Sequence, residues 1–461
     1  MKKTNKNTKN KQKIKQNKTK RTKNTKRTRK NVKKGGEYVD AGTFGAVYSN
    51  PRLLCQGENS MTPNINNEVS KIFEYDDDAI YENNNIEKLK SFLNERGILE
   101  ELEKYAIIPK KMCNVNRDVL TKPPYTYDSW MRNQKFEYNE NIFNKKYARL
   151  PDTTKILNDN RTAMIDIPAY NKLIISDKGG DNLYKIIEKI ATYDQFKDFL
   201  QKLSSIGQGI QLLQNNGLIH GDIKDKNCLE HNGRFKIIDL SDIREISTTK
   251  DPAAMPTAFG YQIWPITAFY TYLFDEGIVF DKIEDINDIT HENSITYEKI
   301  VGNFIKGNDD NYNMHGISYS KVLFDSAFRT KNIGYTSDQS EMIENIKRDL
   351  MNQKTAFVDD NKILRDIIKN FNEMFISEFT DINEFKMDLF KRIDIYSFGI
   401  LILQCISRYL NKNYRTVIDD PKFCEKMIEL YGIVKKCCYQ KERVANINEI
   451  IPVYKAVVST M

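Results

Sequence analysis

At Gly179-Gly180 the apolar pattern of the chain changes period, and that change restricts the fold more than any other feature. Before it, from Gly35 onward, apolar residues come in short alternating segments: Tyr38-Val39, Ala46-Val47-Tyr48, Val69-Ser70-Lys71-Ile72-Phe73, Ala106-Ile107-Ile108-Pro109 and Leu173-Ile174-Ile175. Side chains alternate between the two faces of a strand, so these segments read as strands of an antiparallel sheet. Between the third and fourth, Ile86, Leu89 and Leu93 recur at helical spacing behind Asp76-Asp77-Asp78, acids suited to a helix start. One helix therefore interrupts the sheet. After the glycine pair, Phe196, Phe199, Leu200, Leu203, Ile206, Ile210 and Leu213 fall on one helical face, and helical patterns continue to the C-terminus. A β-rich segment, 35–178, followed by an α-rich one, 179–461, predicts an α+β fold of two lobes with a cleft between them and a hinge at Gly179-Gly180. Two stretches read as insertions, about 114–168, polar with Pro123-Pro124, and about 270–390, which has helical patterns of its own.

Charge is segregated along the chain. Of 71 Lys and Arg, 17 precede residue 35, where no acid occurs; residues 35–461 keep 54 bases against 63 acids, a net charge of about −9. Residues 1–34 contain Ile14, Val32 and the initial Met as their only hydrophobes and cannot repay the entropy of ordering, so a disordered basic arm is expected. Such an arm is suited to nucleic acid, an anionic surface or a nuclear-import receptor through counterion release, or serves only as a solubilising tail. It has no aromatic residue to stack on bases.

With 40% hydrophobic residues the remainder is rich enough for one large or two medium cores. The longest apolar run, around Ile400-Leu401-Ile402-Leu403, is too short to span a bilayer, and the N-terminus has no apolar signal core, so neither membrane insertion nor secretion is expected. Seven cysteines (Cys55, Cys113, Cys228, Cys405, Cys424, Cys437 and Cys438) show no C-x-x-C spacing and have four His beside them. That argues against zinc and for reduced, buried thiols in an intracellular compartment.

The chemistry-bearing constellation lies in Leu218-Ile219-His220-Gly221-Asp222-Ile223-Lys224-Asp225-Lys226-Asn227, where an apolar start feeds a loop with Asp, Lys and Asn at offsets 0, +2 and +5. Soon after, Phe235-Lys236-Ile237-Ile238 ends in Asp239. Asn227 and Asp239 supply two oxygens on neighbouring loop ends, a donor set for a hard cation such as Mg²⁺ that also binds nucleotide phosphates. The Asp222 carboxylate is left to accept a proton.

This stretch resembles the catalytic and metal-binding loops of protein kinases, H-x-D-x-K-x-x-N followed by the Asp of the D-F-G position. The resemblance implies a bilobal kinase-like fold using ATP and Mg²⁺. It makes Asp222 the residue that orients and deprotonates the acceptor hydroxyl, Lys224 the neutraliser of the transferring phosphoryl group, and Asn227 and Asp239 the metal ligands. Upstream, Val39-Asp40-Ala41-Gly42-Thr43-Phe44-Gly45-Ala46-Val47 resembles the glycine-rich loop, with Gly42 and Gly45 approaching phosphate and Val39 and Val47 against the nucleotide. Lys71 matches the strand lysine that contacts α/β-phosphates. Its partner is expected on the following helix, at Glu82, which shares the face of Ile86, Leu89 and Leu93, with Glu87 as second candidate. Asp394-Ile395-Tyr396-Ser397-Phe398-Gly399 resembles the D-x-W-S-x-G motif, whose Asp caps the central helix and ties the catalytic loop. The Lys/Asn/Ile-rich composition, Pro51-Arg52-Leu53-Leu54-Cys55, Trp264-Pro265 and Gly179-Gly180-Asp181-Asn182-Leu183 resemble serine/threonine kinases of large nucleocytoplasmic DNA viruses. That resemblance implies a location in host cytoplasm or virion.

Departures from the pattern bear on mechanism. Asp40 stands at the first glycine, Thr267 replaces the Glu expected to pair with Arg443, and Leu240-Ser241 replaces Phe-Gly. Gly221 replaces the Arg that receives an activation-loop phosphate, so activity independent of phosphorylation at Thr248, Thr249 or Thr257 is expected. Lys224 favours Ser/Thr over Tyr acceptors, and an acidic body favours basic protein substrates. Two rival readings accompany this one: a kinase-shaped binding module without catalysis, supported by Asp40, Ser241 and Thr267, and a small-molecule phosphotransferase, opposed by Lys224 and the Asp394–Gly399 motif.

Overall fold

Alternation along Glu68–Phe73 (β3) buries Ser70 and Ile72 on one face and directs Lys71 and Phe73 to the other. The computed structural model describes residues 37–41, 45–59, 61–73, 76–116, 171–246, 382–438, 444 and 446–461. Around β3, the strands Glu37–Ala41 (β1), Gly45–Ser49 (β2), Lys111–Asn114 (β4) and Lys172–Asp177 (β5) complete an antiparallel sheet in the order β1-β2-β3-β5-β4. The register places Val47 and Ile174 opposite Lys71. Helix Asp76–Glu95 (α1) covers that face, its Ala79 and Ile86 packing with Phe73 and Ile174. On the other face Leu53 N–H donates to Ser70 Oγ (2.8 Å), so the segment after β2 closes the sheet from below.

That segment continues to the β4 edge, where Gln56 N–H donates to Asn114 O and Asn116 N–H to Leu54 O, each at 2.8 Å. An otherwise unpaired strand edge is thereby covered. Arg52, 2% exposed, donates to Glu68 (2.7 Å) and Glu58 (2.7 and 3.0 Å); Glu58 also pairs with Lys111 (2.8 Å) and Glu68 with Lys110 (3.0 Å). A buried guanidinium is tolerated only when fully partnered, and here two carboxylates surround it. Hydrogen bonds from Arg52 lower the Glu58 carboxyl to a pKa of about 2.

Two expectations are corrected in this half. Ala106-Ile107-Ile108-Pro109 is not a strand of the sheet: Ala106 makes one parallel bridge to Ile237, and the fourth strand starts at Lys111. Ala106 and Ile107 are apolar because they are buried against other elements. Cys55 and Cys113 form a disulfide across 58 residues, so two of the seven cysteines are not reduced thiols. The other five are free, four of them buried.

Beyond the sheet the elements are helix Leu183–Lys189 (α3, after the one-turn α2, Leu99–Leu102), helix Tyr193–Asn215 (α4), two small two-stranded sheets, and helices Ile382–Ile418 (α5), Pro421–Cys438 (α6) and Ile451–Ser459 (α7). The small sheets pair Leu218–Ile219 (β6) with Arg244–Glu245 (β9) and Cys228–His231 (β7) with Arg234–Ile237 (β8). Thr192 caps α4 in a capping box with Gln195. The predicted apolar face of α4, from Phe196 to Leu213, is buried. Ile400, Leu401, Ile402 and Leu403 are all buried, so this middle turn of α5 is enclosed on every side within the core that α4, α6 and α7 share. This enclosure accounts for the apolar run; among the described residues no helix is long and apolar enough to cross a membrane.

The fold is thus mixed α+β, a small antiparallel sheet with helices, within Gly35–Met461. At Gly179 the need for glycine is close approach, since a Cβ there would lie 2.5 Å from Leu229 Cδ1 on β7. The expectations for the arm 1–34, for 117–168 and 270–381 of the insertions, and for Gly42, Thr248, Thr249, Thr257, Trp264, Thr267 and Arg443 lie outside the described residues.

Candidate functional site

Lys71 leaves the sheet on the side covered by α1, and its Nζ lies 2.5 Å from Glu82 Oε2. It also stands 4.7 Å from the centroid of the Phe73 ring. Glu82 follows Ala79 by three residues and precedes Ile86 by four, so the helical period brings it to the buried face. Burial pushes its carboxyl up; Lys71 opposes that shift, and the nearby charges of Asp239 and Asp242 add to it. Glu87, the second candidate, lies on the surface and pairs with Lys90.

The loop after β6 gathers the second group. Lys224 Nζ approaches both carboxylate oxygens of Asp222 (3.1 and 2.8 Å), and Asn227 Nδ2 donates to Asp222 Oδ2 (2.7 Å) and to its carbonyl (3.0 Å). A 3-10 turn over Asp225–Asn227 brings residues 222 and 227 back toward each other. Burial raises the Asp222 carboxyl, Lys224 and His220 oppose, and Asp239 adds to the rise. Asp239 is therefore within electrostatic reach of both Asp222 and Glu82.

Two ties set Asp239. Ile238 N–H donates to the Asn227 carbonyl (2.9 Å), joining the two loops. Asp239 itself adopts the left-handed conformation (φ 66°, ψ 57°). A non-glycine residue held there costs about 1 kcal/mol or more and recurs where a site needs a fixed side-chain direction.

His220 is fully buried and structural. Its Nδ1 accepts from Asp222 N–H (3.2 Å), which leaves Nε2–H to donate to the Ile238 carbonyl (3.1 Å). Asp394 accepts from His220 N–H (2.7 Å) and Gly221 N–H (2.9 Å), as the sequence motif implied. It does not cap a helix start, however, because α5 begins at Ile382, twelve residues earlier. Gly221 has φ +78°, so its lack of a Cβ serves the backbone of this loop.

Among the residues singled out from sequence, Lys71 and Glu82 are joined directly, Asp222, Lys224 and Asn227 form one hydrogen-bonded set, and Asp239 sits in reach of both groups. Val47 shares the Lys71 face through strand register, and Gly45 is the first residue of β2. Val39 falls in the bulge between Tyr38 and Asp40 and is 43% exposed; no strand pairing brings it to that face. The sequence reading missed Asp242, which acts on Glu82 from three residues beyond Asp239; its place in Asp239-Leu240-Ser241-Asp242 was the available signal.

The arrangement offers an ammonium fixed by a carboxylate, a half-buried carboxylate able to take a proton, and a carboxamide and a carboxylate on adjoining loops. With the amide nitrogen of Asn227 committed to Asp222, its oxygen is the atom left for a cation, and oxygens are what Mg²⁺ prefers. Among the described residues no group of three or more His, Cys, Asp or Glu is placed to hold a metal by protein ligands alone. Compared with known families and with curated proteins, the chain matches no family model and no curated sequence.

Proposed function

We propose that this chain is a bilobal, kinase-like enzyme that transfers phosphoryl groups from ATP to Ser/Thr hydroxyls of proteins. One observation carries the reading: the Lys71–Glu82 pair and the Asp222–Lys224–Asn227 set belong to separate parts of the chain, yet α1, which bears Glu82, packs against the turn that Asp239 opens, and Ile238 beside Asp239 is bonded to Asn227. Under this reading the five-stranded sheet and α1 form the smaller, nucleotide-covering lobe, and α3–α7 with β6–β9 form the larger one.

Asn227 and Asp239 are the residues that would hold Mg²⁺, and the bound Mg²⁺–ATP supplies the phosphoryl group and part of its charge neutralisation. Lys71, held by Glu82, binds and orients nucleotide phosphate. Asp222 accepts the proton of the acceptor hydroxyl, for which a raised carboxyl pKa improves the match to neutral pH. Lys224, bonded to Asp222 before any substrate arrives, offsets negative charge that develops on the transferring group. Its place beside Asp222 is the feature that favours Ser/Thr acceptors. The net charge of about −9 over 35–461 favours basic protein substrates, and the arm 1–34 adds affinity for nucleic acid or an anionic surface. Host cytoplasm or virion is the location this reading implies.

Thermal stabilisation by ATP with and without Mg²⁺, followed by radiolabelled phosphotransfer to basic proteins and to amino alcohols by wild type and Asp222→Asn, tests the proposal. The expected result is Mg²⁺-dependent stabilisation and protein labelling that Asp222→Asn abolishes. Nucleotide binding without Asp222-dependent transfer selects a kinase-shaped binding module instead, and labelling of amino alcohols alone selects a small-molecule phosphotransferase.

A further inference from the structure

The helix that carries Glu82 is fastened at its far end too. Arg96, just past the C-terminus of α1, lies over the Phe92 ring with its guanidinium carbon 3.9 Å from the centroid. It donates to the Asn216 carbonyl (2.8 Å), two residues before β6, and reaches Glu245 on β9 at 3.4 Å. Strand β6 runs directly into His220-Gly221-Asp222, and β9 begins two residues after the turn that follows Asp239. Arg96 therefore grips the roots of both loops on which Asp222 and Asp239 stand.

A second fastening lies farther along the same connection. Ile237 N–H donates to Tyr105 O (2.8 Å) and Ile107 N–H to Ile237 O (2.9 Å), which ties the chain after α2 to the strand residue two before Asp239. Gly209 of α4 permits that approach, since a Cβ there would lie 3.0 Å from Tyr105 Cβ and 3.1 Å from Ile237 Cδ1.

We propose that Arg96 is a positioning residue: by anchoring the end of α1 to β6 and β9 it holds the Lys71–Glu82 pair in place near Asp239. The inference rests on the phosphotransfer reading and names a positioning residue of that site. Its chemistry differs from a purely structural role. The Arg96 side chain is 41% exposed, so its ion pair with Glu245 contributes little to global stability. A displacement of about 1 Å at a catalytic group, in contrast, costs on the order of 10²-fold in rate.

The test compares wild type, Arg96→Ala and Arg96→Lys in the full chain by three measurements: kcat and KM for ATP, thermal midpoint, and amide hydrogen exchange along α1. Arg96→Ala is expected to lower kcat about 10- to 100-fold with a smaller change in KM, to leave the thermal midpoint within roughly 2 °C, and to speed exchange in 76–95 relative to α4 and α5. Arg96→Lys, which keeps a donor for the Asn216 carbonyl, is expected to recover part of the rate. An Arg96→Ala protein with wild-type kcat and unchanged exchange overturns the proposal, as does a rate loss that only follows a fall in thermal midpoint. If wild type transfers no phosphate, the functional reading falls by itself; exchange in 76–95 then decides the anchor, faster exchange supporting it and unchanged exchange overturning it.

Discussion

Lys71 and Glu82, eleven residues apart, join the central strand of the sheet to α1, the helix that covers it, through one 2.5 Å contact. Both side chains are largely withdrawn from solvent, at 23% and 12% exposure, so neither charge is satisfied by water if the other is removed. Lys71→Met is expected to lower phosphotransfer by about 10²-fold or more, because a positioned electrostatic group is typically worth that much in the transition state. Glu82→Gln keeps a hydrogen-bond acceptor and removes the charge, so a smaller loss of about 10-fold is expected. Radiolabelled transfer assays, with circular dichroism to verify folding, check both; equal rates for all three proteins contradict the assigned roles.

Asp394 provides the one carboxylate that receives both His220 and Gly221 N–H groups, and it is 3% exposed. Without it the buried His220 N–H loses the carboxylate that accepts it, at about 1–3 kcal/mol, and the half-buried Gly221 N–H loses a charged acceptor as well. Asp394→Ala is therefore expected to destabilise the protein by about 3 kcal/mol and to reduce transfer further by loosening the Asp222 loop. Urea unfolding measures the first effect, and activity below the unfolding midpoint measures the second. Asp394→Asn retains one acceptor oxygen and should fall between Ala and wild type.

How far the sequence foretells such contacts depends on whether the signal is local. Glu82 was legible because the helical period that buries Ile86 and Leu89 also buries it, while Glu87 is out of phase and pairs with Lys90 on the surface. Asp222, Lys224 and Asn227 were legible because their spacing in one short loop is itself the geometry. The fourth strand was misplaced because tertiary burial overrides strand patterning: Ala106 and Ile107 are buried although the segment makes only one bridge, to Ile237, while Lys111–Asn114 is a partly exposed edge with weak alternation. Asp394 reads as a helix cap only if the helix is taken to start there, and nothing in the preceding Lys391-Arg392-Ile393 breaks a helix. The Cys55–Cys113 pairing and the Arg96 anchor connect residues 58 and 120 or more positions apart, where periodicity is silent.

The disulfide gives a prediction that does not depend on catalysis. Closing a loop across 58 residues is worth up to about 4 kcal/mol by the chain-entropy argument. Peptide mapping of non-reduced protein is expected to recover Cys55 linked to Cys113, and reductant is expected to lower the thermal midpoint. Cys55→Ser should unfold at the midpoint of the reduced wild type and show no further response to reductant. Recovery of both cysteines as free thiols from protein purified without reductant would contradict the bridge.

The pH dependence of transfer follows from the two raised carboxyls. Burial lifts Asp222 above its ordinary value of 3.8 and Glu82 above 4.5, and Asp239 adds to both. Catalysis needs Asp222 ionised to accept the hydroxyl proton and Glu82 ionised to hold Lys71, so protonation of either removes activity. The acid limb of kcat/KM is therefore expected above pH 3.8, with a slope steeper than one proton; in Glu82→Gln the slope should fall to one while the limb remains. Unfolding is separable from this effect. Glu58, lowered to about 2 from 4.5, contributes stability that is present above pH 4.5 and is lost as pH falls through 2. Rates measured from about pH 3 to 8, with far-ultraviolet dichroism at each point, place the limb in the window where Glu58, titrating at about 2, still holds Arg52. A limb at or below pH 3.8, or one left unchanged in slope by Glu82→Gln, would remove the coupling between the two carboxyls from the mechanism.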